Sequence, residues 1–95
     1  MSGPEAVALP GTPVTLSSRG FVIQARRARR PEVAYADIVH VHRSRRGLAI
    51  STRSRGFYIR RDEFSGADAM GTLEEALRAR IGALPDGADR LTHMA

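Results

Sequence analysis

The chain has 95 residues, no cysteine and a net charge of +5, and all 15 of its basic side chains are arginine. A chain this short buries only about 60–65% of its unfolded surface and supports one modest core, while the absence of Cys excludes a disulfide scaffold, a thiolate nucleophile and a Cys-ligated zinc or iron–sulfur site. No run reaches the ~18 apolar residues of a membrane span, and the N-terminus lacks the basic-then-apolar order of a signal peptide, so the expectation is a cytoplasmic chain.

Residues 1–13 carry Gly3, Pro4, Pro10, Gly11 and Pro13 without a sustained period and read as a flexible leader. From Val14 the pattern becomes short apolar runs of period two separated by polar, glycine-bearing turns, as in antiparallel strands. Val14–Leu16 and Phe21–Ala25 form the first hairpin, with Gly20 placed to supply positive φ in its turn. Arg26 to Pro31 then breaks the pattern, since four like charges repel and Pro31 has no N–H for a ladder.

Val33 and Tyr35 alternate with Ala34, but Ile38 and Val41 are three apart. A bulge or short bend near Ala36–Asp37 returns Ile38 to the core face, and His40 and His42 then face water while Val39 and Val41 face the core. Ser44–Gly47 is a turn, Leu48–Thr52 a strand, Arg53–Gly56 another turn and Phe57–Arg61 the last strand. Beyond Phe64 the period is helical: Ala67, Met70, Leu73, Leu77, Ile81 and Leu84 share one face. Capping-box spacings start the helix at Ser65 or Thr72, and Pro85-Asp86-Gly87 ends it. Asp89–Ala95 reads as the start of a further helix, too short to be stable alone.

The residues hold no evident catalytic constellation. None of the serines lies in a Gly-x-Ser-x-Gly elbow, and no glycine motif follows a strand in the manner of a nucleotide loop. Two apart on a strand, His40 and His42 share a face and are weak candidates for a metal, but a site needs three or four ligands and only Asp37 and His93 are available to join them. The reading is therefore a chain that is not an enzyme as it stands and has no cofactor.

Charge gives the stronger signal. Most of the arginines fall between Arg26 and Arg61, and a basic middle favours anionic partners. Guanidinium groups suit bidentate phosphate contact, so the candidate anion- or membrane-binding residues are Arg26, Arg27, Arg29, Arg30, Arg53 and Arg55. With strands running up and down, these share one end of the sheet, and Arg19 and Arg43 to Arg46 share the other. A solvated-turn role fits the same letters, as does a GC-rich coding sequence.

The order Leu16-Ser17-Ser18-Arg19-Gly20-Phe21-Val22-Ile23, Val33-Ala34-Tyr35-Ala36-Asp37-Ile38-Val39-His40-Val41, Gly47-Leu48-Ala49-Ile50, Phe57-Tyr58-Ile59 and helix resembles bacterial PH-like domains over residues 14–84. The resemblance implies an α+β, mainly β fold: a bent antiparallel sheet or partial barrel of five to seven strands capped by one C-terminal amphipathic helix. Residues 85–95 are then a linker and the start of a possible further helix. The layout is also similar to cytosolic N-terminal modules of rhomboid-type intramembrane proteases, whose catalytic domain would follow Ala95.

The function expected is a non-catalytic binding or regulatory module at the inner face of a membrane, contacting a protein partner, an attached membrane domain or an anionic lipid surface. Alternatives are a small nucleic-acid binder using its Arg-rich turns, and a homodimer joined through an exposed strand edge.

Overall fold

Seven short strands and two helices follow one another in the computed structural model, which describes residues 6–24, 32–66 and 68–94. The strands β1 (Val7–Ala8), β2 (Val14–Leu16), β3 (Gly20–Ile23) and β4 (Val33–Ala34) form a four-stranded antiparallel sheet in chain order. The strands β5 (Ile38–Arg43), β6 (Gly47–Thr52) and β7 (Gly56–Arg60) form a three-stranded one. The α+β class is the expected one, as two separate sheets that do not close into a barrel.

Period-two alternation sets the inner faces. Val14, Leu16, Phe21, Leu48, Ile50, Phe57 and Ile59 are buried together between the sheets, with the Phe21 and Phe57 rings edge to face at 6.3 Å. Each fully buried side chain of this size contributes about 1.5–3 kcal/mol relative to an exposed one.

Two local expectations change. Gly20 does not supply positive φ, which among the described residues occurs at Gly11 and Gly66. Gly20 is instead needed for space, because a Cβ there would overlap the Val33 carbonyl across the β3–β4 pair. The irregularity near Asp37 consists of a single 3₁₀ turn, Tyr35–Asp37, and a register shift between Ile38 and His40. The shift leaves Val39 46% exposed while Ile38 and Val41 are buried, so Val39 does not join the core.

Residues 7–11 also take part in the fold. Val7 and Ala8 pair with Leu16 and Thr15, Leu9 packs on the core, and the Gly11 carbonyl accepts from Ser65 N–H at 2.8 Å. The chain is thereby tied to the segment that leads into the helices.

Helix α1 (Ala69–Gly82) starts between the two N-termini expected from the caps and runs through Gly71. Leu73, Leu77 and Ile81, spaced by four, bury one stripe against β5 and β6. A second helix, α2 (Gly87–Met94), occupies the segment read as a truncated helix. An isolated helix of this length would be marginal in water, and packing supplies what propensity does not: Met94 is buried in the core and Leu91 packs beside it. A Cβ at Gly87 would overlap the Gly82 carbonyl, so glycine allows the close corner between the helices. Among the described residues, no helix is long and apolar enough to cross a membrane.

Candidate functional site

The β5–β6 turn is held by Ser44, whose N–H and hydroxyl both donate to the Gly47 carbonyl, at 2.9 and 3.3 Å. The Ser44 Oγ also accepts from Arg46 N–H at 3.3 Å, a side-chain-stabilised turn of the kind serine favours. Arg45 and Arg46 thus project from its tip.

The end of β7 comes to the same place. Gly47 pairs with Arg60, and Arg61 N–H donates to the Arg46 carbonyl at 2.7 Å. Arg45, Arg46, Arg60 and Arg61, from two distant stretches of sequence, line an open hollow of about 710 Å³ with Tyr58 and Asp62. A second hollow of about 380 Å³ continues it past Arg43, Ser44, Arg45, Arg61 and Met70.

Tyr58 is fitted to this site by a glycine. Its ring lies over Gly47, where a Cβ would come within 2.9 Å of Tyr58 Cζ, and the side chain nonetheless stays 52% exposed. The ring covers bare backbone on one side and meets solvent on the other.

Not every guanidinium in the region is available. Arg43 is paired with Glu74 at 2.9 Å, and Arg60 with Asp62 at 2.9 Å. Arg45, Arg46 and Arg61 have no carboxylate within ion-pair distance among the described residues. Three positive charges with one weakly held neighbour leave this end electropositive, a surface on which anions accumulate.

Of the arginines singled out from sequence, Arg26, Arg27, Arg29 and Arg30 lie outside the described residues. Arg53 and Arg55 sit on the β6–β7 turn, which Thr52 organises through its N–H and hydroxyl, both donating to the Arg55 carbonyl at 2.8 Å. That turn is at the opposite end of β6 from Arg45 and Arg46, about 20 Å away for a six-residue strand. The hollow beside it contains about 130 Å³ and is lined by Glu32 and Asp37 as well as Arg55, so it is electrostatically mixed. Arg55 also lies 5.9 Å over the Phe57 ring.

His40 and His42 do share the exposed face of β5, their rings 6.1 Å apart and 14° from parallel. Among the described residues no group of three His, Asp or Glu stands close enough to hold a metal ion.

The sequence favours other arginines over the Arg45–Arg46–Arg61 site, although it places Arg43 to Arg46 together at one end. The pairing of the last residue of β7 with the first of β6 brings in Arg60 and Arg61, and that register follows from the Arg53–Gly56 turn. Comparison with protein-family models, with curated proteins and with solved structures finds no match.

Proposed function

We propose that the chain is a non-catalytic, PH-like binding module that meets an anionic membrane surface through Arg45, Arg46 and Arg61, with Tyr58 at their centre. The observation that carries this reading is the union of carboxylate-free guanidinium groups with a half-exposed tyrosine on one end of the second sheet. Arginine reaches lipid phosphates bidentately, and a tyrosine ring settles at the boundary between headgroups and water, where one end is apolar and the other wet. The resemblance of the sequence layout to cytosolic modules of rhomboid-type intramembrane proteases would put the chain in the same place, beside a membrane protein.

The test is co-sedimentation with phosphatidylcholine vesicles with and without phosphatidylserine at physiological ionic strength. Wild type should bind only the anionic vesicles, with affinity falling as salt rises. A basic residue near such a surface contributes about 1 kcal/mol, so changing Arg45, Arg46 and Arg61 together to Ala should weaken binding on the order of a hundredfold. Equal pelleting of the triple variant and wild type would sink the reading.

A second reading rests on the outer face of the same sheet. His42, Ala49 and Tyr58 stand in one cross-strand row, and His40 stands in the next. Rings on a sheet beside arginines also suit unpaired nucleobases. Saturable binding of a fluorescent single-stranded oligonucleotide, lost in Tyr58→Ala but indifferent to vesicles, would favour it.

A further inference from the structure

The two outer edges of the second sheet are treated differently. On β5, Arg90 Nη1 donates to the Ile38 carbonyl and Arg78 Nη2 to the Val41 carbonyl, each at 3.0 Å, so guanidinium groups from α2 and α1 occupy acceptors that another strand would need. On the edge of β7 a side chain of the described residues takes the Arg60 N–H alone, and none donates to a carbonyl.

Its hydrogen-bonding groups follow from the register. Thr52 N–H donates to the Arg55 carbonyl, and Arg61 N–H to the Arg46 carbonyl. By antiparallel alternation, Phe57 and Ile59 then bond toward β6, and Gly56, Tyr58 and Arg60 point their backbone groups away from the sheet. Arg60 N–H is taken by the Glu63 carboxylate at 2.9 Å. The N–H and carbonyl groups of Gly56 and Tyr58 remain for a partner, whereas the Arg60 carbonyl is the N-cap acceptor of the 3₁₀ turn Arg61–Glu63. The outer face above Gly56 is open as well, since a Cβ there would meet nothing within 4 Å.

We infer that the β7 edge accepts an extended, acidic peptide segment of a partner protein as a fourth strand of this sheet, through backbone groups that the membrane contact proposed above does not use, although Tyr58 and Arg60 border both. Strand addition draws affinity from main-chain hydrogen bonds and specificity from alternate side chains. Charge selects the occupant. A second copy pairing antiparallel about Tyr58 would set Arg55 directly against Arg61, and like charges directly opposite are destabilising. An acidic side chain opposite Arg60 is attracted instead. The Arg60–Asp62 pair that it displaces is about 70% exposed on both sides and is held weakly.

The side-chain pattern follows position by position. On an antiparallel partner the outer-face residues read, from its N-terminus, acidic opposite Arg60, β-branched opposite Tyr58, and bulky opposite Gly56, where the open space lies. The inner face needs nothing large, because Phe57 and Ile59 are already buried at 7% and 1% exposure.

The experiment titrates the 95-residue chain with a capped peptide of sequence Thr-Glu-Thr-Val-Thr-Phe-Thr, followed by the backbone amide resonances of Gly56 and Tyr58. Saturable shifts concentrated at those amides are expected, and N-methylation of the peptide at the bonds facing β7 should weaken binding about tenfold or more. Arg60→Glu should weaken it about three- to tenfold and should retain the wild-type spectrum of β5 and β6. Three outcomes overturn the inference: no saturable shift at Gly56 and Tyr58, binding indifferent to N-methylation, or a homodimer whose contacts cross Tyr58. Indifference to N-methylation would mean that charge alone attracts the peptide, and it would leave the vesicle reading standing.

Discussion

Arginines on the helix side of the second sheet finish their work inside the molecule, and those on its far turn do not. Arg78 and Arg90 end on carbonyls of β5, and Arg80 ends on the Ser17 carbonyl at 3.0 Å with the Tyr35 ring 5.8 Å away. Arg45, Arg46 and Arg61 end in solvent around Tyr58. The residue type is the same in both groups, and what differs is the acceptor within reach. A guanidinium that satisfies a buried carbonyl is part of the fold, whereas one without an acceptor is free to recognise something else.

That difference is open to attack by substitution, and the largest contrast should come from Arg80. Arg80→Ala removes a charged hydrogen bond and a cation–π contact, so it should destabilise by about 2–3 kcal/mol in urea unfolding and leave vesicle affinity per folded molecule unchanged. The triple change of Arg45, Arg46 and Arg61 to Ala should do the reverse, with each surface site within about 0.5 kcal/mol of neutral for stability. If the triple variant unfolds early and Arg80→Ala does not, the division between the two groups is wrong.

Gly47→Ala probes the functional side from within. The new methyl meets the Tyr58 ring and the Ile59 carbonyl, and overpacking of this kind costs about 1–3 kcal/mol. The ring should leave its seat over β6, read as loss of contacts between Tyr58 and residue 47 in nuclear Overhauser spectra, with weaker vesicle binding at unchanged net charge. Unchanged binding with a displaced ring would remove Tyr58 from the site and leave the arginines alone in it.

Arg90→Ala probes the structural side. It removes the hydrogen bond to Ile38 O and the pair with Asp86 at 2.9 Å. We expect a loss of about 1.5–3 kcal/mol and faster amide exchange through α2, since that helix has little stability of its own.

The elements were legible in the sequence where one period ran cleanly. Leu48 with Ile50, Phe57 with Ile59, and Leu73 with Leu77 and Ile81 declare strands and helix by spacing alone, and all are buried as read. Val39 is misread because the register slips between Ile38 and His40, two residues beyond the break that the pattern suggests near Ala36–Asp37. The packing of α2 was also hidden, since it depends on Gly87 approaching Gly82 and on Arg90 reaching across to β5, contacts that leave no periodic trace. For the site, local charge density drew attention to runs such as Arg26–Arg30. The hollow around Tyr58 arises from sheet register, which joins Arg46 to Arg61 across a hairpin.

The smallest expected effect concerns the anchor beneath Arg80. Tyr35 is buried, and its hydroxyl donates to the Ser17 carbonyl at 2.7 Å, which Arg80 also contacts. Burial raises the Tyr35 pKa above the usual 10.0, with Arg80 opposing the shift. A raised phenol pKa means that the folded chain keeps its proton after the unfolded chain has begun to lose it. The associated stability is therefore complete below about pH 10 and is lost as pH climbs toward the folded value. Tyr35→Phe should cost about 1 kcal/mol at neutral pH for the missing hydrogen bond; the Ser17 carbonyl keeps Arg80, so no acceptor is stranded. Because phenylalanine does not titrate, the gap between wild type and variant should narrow in urea unfolding as pH rises above 10. A gap that stays constant would mean that Tyr35 ionises alike in both states, and that Arg80 offsets the burial completely.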